Sequence, residues 1–174
     1  MRITFLFLLL FSACWAPAQS SSDSLITITR AKYQLECPYS WSVDTSKMLG
    51  MDLLIRSPKT DSLDDFVENL NVFIQDLHGQ HYDLSQIGKE SEAQIQNLIT
   101  DFQILVSKLD STASPAQYIL KYKGRQGKFN LTAVQHFYLN DEIGYVLTFV
   151  IKQGQEERYI PQAEKIFQSF KFRK

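Results

Sequence analysis

The chain has 174 residues, 44% apolar and 21% charged, which fits one globular domain and excludes a disordered or low-complexity protein. A formal charge of −1 and a pI near 6.3 exclude the strongly basic surface that binding to nucleic acid or an anionic membrane would need. The only two cysteines, Cys14 and Cys37, cannot staple the fold, because Cys14 lies in the leader described next.

Residues 1–18 read as a secretory signal peptide: Arg2, an apolar run from Ile3 to Phe11, then small residues ending in Ala16-Pro17-Ala18. The run is too short to span a bilayer as a mature helix. Simple cleavage leaves a protein secreted across the inner membrane, in the periplasm or outside the cell. A second reading competes: Phe11-Ser12-Ala13-Cys14 is similar to a bacterial lipobox, in which Cys14 is acylated and the domain stays lipid-anchored in the envelope. Only in that case is membrane contact expected.

Residues 19–24 are a polar spacer, and a single domain is expected over 25–174. Leu25 to Thr29 is β-branched and alternating, and Arg30-Ala31-Lys32 turns the chain. Tyr33, Leu35 and Cys37 then share one face of a second strand that Pro38 ends. Met51 to Arg56 reads as a short strand, and Val67 to Leu77 as a long one with Leu70, Val72 and Ile74 on one face. Asp83 and Gln86 form a capping-box pattern for an amphipathic helix over Leu84–Ile99, in which Gly88 is a small cost.

The second half reads as a β-meander. Phe102 to Leu109 is extended, and Ala116, Tyr118, Leu120 and Tyr122 alternate. Gly124-Arg-Gln-Gly127 supplies turn chemistry before a strand that runs through Leu131 and Phe137. A tight turn at Asn140-Asp141 leads into Ile143–Ile151, apolar enough on both faces for the sheet centre. A closing helix spans about Glu156 to Phe170, with Pro161 either at its first position or kinking its first turn. The order implies an α+β fold, a largely antiparallel sheet covered by helices.

Several of these features resemble one family. They are the opening hairpin, Pro38-Tyr-Ser-Trp41, Asn69-x-Asn71-Val72, the mid-chain helix, three antiparallel strands and the ending Ile166-Phe-Gln-Ser169-Phe170-Lys-Phe172. Together they are similar to the PsbP-like family, which includes the photosystem extrinsic subunit and bacterial envelope proteins of the DcrB type. The resemblance covers roughly Leu25 to Phe172. It implies an α/β/α sandwich in which a mid-chain and a C-terminal helix flank the central sheet. It also implies no enzymatic activity and no cofactor, with members acting as adaptors on larger assemblies. The metal-binding residues of the photosynthetic branch have no counterpart here.

Candidate chemistry is sparse. His78 and His81, between Asp76 and Asp83, are the one cluster of metal-ligand type, but polar residues are expected in a strand-to-helix loop. Cys37 could act as a nucleophile with His136 or His81 as base, against a reading as a buried small hydrophobe. Tyr39 and Trp41 are candidates for an interaction surface, and the alternative has Trp41 plugging one end of the sheet. The leading expectation is a non-enzymatic secreted or envelope accessory protein that binds a partner protein or assembly. Leu25–Thr29 is the candidate edge strand for that contact. The alternative is a binder of a small apolar ligand between the sheet and the Leu84–Ile99 helix.

Overall fold

A computed structural model describes residues 24–173; the leader, Cys14 and most of the spacer lie outside the described residues. The chain opens as a hairpin. Leu25–Thr29 (β1) pairs antiparallel with Tyr33–Pro38 (β2), so that Tyr33, Leu35 and Cys37 turn inward together. Two short pieces follow that carry too few residues to show a period: Ser42–Asp44 (β3) and a 3-10 turn at Met48–Gly50. Next come Leu53–Arg56 (β4) and Asn69–Asp76 (β5), each shorter than its apolar pattern suggests.

The first long helix is Leu84–Gln96 (α1). Its capping box is made in full: the Gln86 amide donates to Asp83 Oδ1 at 2.8 Å, and the Asp83 amide donates to Gln86 Oε1 at 2.9 Å. The helix ends three residues before Ile99. Asn97 caps it, and the Leu98 and Ile99 amides both turn back to the Ile95 carbonyl.

Four long strands follow: Thr100–Asp110 (β6), Gln117–Gln126 (β7), Phe129–Asn140 (β8) and Ile143–Lys152 (β9). Both hairpin turns sit one or more residues later than their sequence signals. The first uses Gly127 at φ +59, while Gly124 stays inside β7; the second uses Asp141 and Glu142, both with positive φ. The closing helix is Glu156–Ser169 (α2), with Pro161 in its second turn rather than at its start. The last two described strand residues, Lys171–Phe172 (β10), return to pair with β2.

The large sheet has the order β3-β4-β5-β9-β8-β7-β6 and is antiparallel throughout, with β9 at its centre; the small sheet has the order β1-β2-β10. Alternate residues of the central strands enter separate cores. Tyr145, Leu147 and Phe149 of β9 join Tyr159, Ile166 and Phe167 of α2, together with Tyr33 and Leu35 of the small sheet. On the other face, Tyr118 and Leu120 of β7 and Phe137 of β8 pack with Leu84, Ile87 and Ile95 of α1. Because successive strand residues point to opposite faces, the two helices lie on opposite sides, which is an α/β/α sandwich.

One polar hub ties the small sheet to the large one. Arg30 donates to both Asp52 carboxylate oxygens, at 3.0 and 3.2 Å, and the Tyr33 hydroxyl donates to Asp52 Oδ2 at 2.9 Å. The hydrogen bond from Arg30 holds the Asp52 carboxyl below the usual carboxylate range. Replacing it (Asp52→Asn) is expected to cost about 1–2 kcal/mol at neutral pH, a modest figure because both charged groups are about one-fifth exposed. A depressed folded-state pKa adds stability above the unfolded value, roughly 3.9, and that stability is lost as pH falls through the lower folded value. Urea midpoints of wild type and variant, compared from pH 7 down to pH 2, should therefore converge in acid. A gap that stays constant over that range would contradict the linkage.

Candidate functional site

The α2 face of the large sheet is only partly covered. The helix lies over the centre of the sheet through Ala163, Ile166 and Phe167, and it leaves the β6–β7 side open. A cleft of about 390 Å³ results, with a floor of Val106, Ile119 and Val134 and a helix wall of Ile160, Ala163 and Phe167. Polar groups converge on it as well: Lys108 and Lys121 from the strands, Glu164 and Gln168 from the helix, and Gln117 and His136 at one end.

His136 is held flat in this wall. Its ring stacks on Phe167 at 3.9 Å with the planes 4° apart, and its Nδ1 donates to Gln117 Oε1 at 2.7 Å. Burial pushes its pKa down to about 4, so the imidazole is neutral at physiological pH, with Nδ1 protonated and Nε2 left as an acceptor. The sequence offers His136 only as a base for Cys37, and the fold gives the two no hydrogen bond to each other: His136 bonds to Gln117 and Tyr138, while Cys37 is fully buried opposite Ile26. Burial also raises the Cys37 thiol to about 11, which keeps it protonated and unreactive.

The remaining candidates separate. Trp41 is 5% exposed and packs on Phe149 and Tyr159, so it belongs to the core, whereas Tyr39 is 71% exposed. His78 Nδ1 bonds to Asp76 Oδ1, a contact that raises the His78 pKa, and its Nε2 lies 3.9 Å from Glu142. His81 has positive φ, and among the described residues no three His, Cys, Asp or Glu side chains converge on a metal position. The α1 side, where the sequence places an apolar pocket, is instead filled by Tyr118, Leu120 and Phe137, leaving hollows of about 180 and 30 Å³.

Each sheet has two edge strands among the described residues: β1, as its sequence suggests, and the two-residue β10 bound the small sheet, and the three-residue β3 and the eleven-residue β6 bound the large one. β6 itself carries Ile104, Leu105 and Leu109, each 39–48% exposed, and Leu98, just before it in the chain, is 79% exposed. Sequence reasoning overlooks this edge, although its run Ile104-Leu105-Val106 breaks the alternation of a strand with one buried face. That break marks a bulge: the pairing with β7 shifts between Ile104 and Val106.

No family model and no curated protein matches this sequence. Solved structures do match in three dimensions. The solution structure of cyanobacterial PsbP (CyanoP) from Synechocystis sp. PCC 6803 has a TM-score of 0.64 at 14% identity, covering 91% of this chain and 98% of that one. LpqN, described as involved in cell envelope biogenesis of Mycobacterium tuberculosis, has a TM-score of 0.60 at 11% identity, with coverage of 87% and 91%. The Ran-binding protein Mog1p of Saccharomyces cerevisiae has a TM-score of 0.59 at 10% identity, with coverage of 86% and 96%. At such identities the likeness establishes the fold, and this chain has the PsbP-like fold.

Proposed function

We propose that this chain of PsbP-like fold is a non-enzymatic accessory protein of the cell envelope that binds a partner protein along the outer edge of β6. The leader pattern of residues 1–18 and the cell-envelope role of LpqN support the location, and the Ran-binding protein Mog1p, which shares the fold, supports the class of function. The observation that carries the reading is the edge itself. β6 is an eleven-residue strand ending the seven-stranded sheet, and among the described residues no strand pairs with its outer side.

Such an edge presents a row of unsatisfied backbone N–H and C=O groups, a template for strand addition. Its two register shifts roughen the first half and leave Val106–Asp110 as a regular ladder. The fitting partner segment is extended, pairs with this ladder, and lays alternate apolar side chains on Leu109 and Ile104. The double variant Ile104→Lys, Leu109→Lys tests the reading, because both side chains are already exposed and the fold should tolerate the change. Chemical crosslinking in envelope extract should capture a stoichiometric protein with wild type and lose it with the variant, at unchanged far-UV circular dichroism. Retention of that protein by the variant would refute the β6 interface.

A further inference from the structure

We infer that the cleft between α2 and the β6–β7 hairpin is a binding site for a small amphipathic carboxylate, with its head at Lys108 and Lys121 and its apolar chain laid over Val106, Ile119 and Val134 towards Phe167. This goes beyond partner binding and uses the other face of the same strand: the cleft opens on the α2 face, whereas the partner side chains proposed above, Ile104 and Leu109, oppose Tyr122 and Tyr118 on the α1 face.

The register makes the site. Val106 lies opposite Lys121, and Lys108 lies opposite Ile119, so the two lysines are diagonal neighbours across one strand pair on the same face. Diagonal neighbours have their Cβ atoms roughly 7 Å apart, a spacing at which two flexible lysines can share one carboxylate. Neither lysine has an ion pair among the described residues. Glu164 stands on the helix side of the mouth and disfavours negative charge there, which sets the direction of the ligand: head at the two lysines, chain over the apolar floor towards Phe167.

The floor and helix wall suit a chain rather than a second polar group. Val134, Ala163 and Phe167 are buried, and His136 lies stacked against Phe167 as a neutral ring with its Nδ1 proton already used by Gln117. A volume of about 390 Å³ falls at the lower end of ligand pockets, which span roughly 300–1,000 Å³. That size admits one molecule of medium chain length and excludes a bulky polymer.

Decanoate below its micellar concentration is the probe, with decanol as the uncharged control, measured by titration calorimetry and by NMR on the purified protein. Decanoate is expected to bind at a single site and to move the resonances of Val106, Ile119, Val134 and His136. The double variant Lys108→Gln, Lys121→Gln should weaken decanoate at least tenfold and leave decanol within twofold. Both lysines are at the surface or half-buried, so the variant keeps the fold; Ile119→Trp, which fills the floor, should remove both ligands. Absence of decanoate binding up to millimolar concentration, equal affinity for decanol, or full decanoate affinity in the double lysine variant would each overturn the site.

Discussion

Replacing Phe170 by alanine (Phe170→Ala) is expected to lower the unfolding free energy by about 3–5 kcal/mol, the range for truncating a buried phenyl ring. Phe170 is 2% exposed and follows the last residue of α2. Its ring stacks on Tyr138 of β8 at 4.5 Å, and it meets Tyr33 of β2, Tyr145 of β9 and Phe172 of β10 at 5.5, 6.0 and 5.3 Å between ring centres. One side chain thus joins the helix, the small sheet and the centre of the large sheet. Truncation leaves a void among four rings that their backbones hold apart, and it also removes the edge and stacking terms between them. For a chain of this size the melting temperature should fall by roughly 10 °C. Phe170→Leu, which keeps most of the volume, should recover more than half of the loss. A loss under 1 kcal/mol for the alanine variant would mean that the end of α2 and the small sheet unfold apart from the main sheet, and that the shared core does not act as one unit.

That aromatic junction also shows which parts of the structure the sequence reveals. The ending Ser169-Phe170-Lys-Phe172 is conspicuous as a string of residues, but its meaning lies in what it meets. Ser169 Oγ accepts from the Glu36 amide at 2.8 Å and donates to the Ile166 carbonyl at 2.7 Å, and β10 pairs with β2. Features set by neighbours in the chain are legible. The Asp83–Gln86 capping box, the alternation of β7 through β9 and the central position of the two-sided strand β9 all follow from local chemistry or period. Features set by what lies across a gap are not. Tyr39 and Trp41 are both aromatic and two residues apart, yet one is exposed and the other is buried on Phe149. Lys108 and Lys121 become neighbours only through a register that depends on a bulge in β6, and no pattern in either strand announces it. The same reason hides the role of two glycines. Gly124 reads as turn chemistry but lies in β7, where an added Cβ would come within 2.2 Å of Ile99 Cγ2.

Gly88 carries the second large effect, and its sign separates two physical arguments. Judged from the helix alone, Gly88→Ala should stabilise α1 by about 0.5–1 kcal/mol, because glycine in a helix interior costs that much relative to alanine. Judged from packing, the change is harmful: a Cβ at Gly88 would lie 2.2 Å from Tyr118 Cδ1 and 2.4 Å from Cγ and Cε1. The ring has little room to retreat. Its hydroxyl bonds to Ser107 Oγ at 2.6 Å, Ser107 in turn donates to Glu92 of α1, and its other side meets Phe137 edge-on at 6.2 Å. Overpacking of a held ring costs typically 1–3 kcal/mol and sometimes more, so packing outweighs propensity. The expected net loss is about 2 kcal/mol, read as a fall in melting temperature of roughly 4–8 °C. A double-mutant cycle isolates the cause. In a Tyr118→Leu background, where the ring is gone, Gly88→Ala should become neutral or mildly stabilising, which gives a coupling energy of about 2 kcal/mol between the two positions. If Gly88→Ala instead stabilised the wild-type protein, α1 would not be seated on β7 at the distance that leaves room only for glycine.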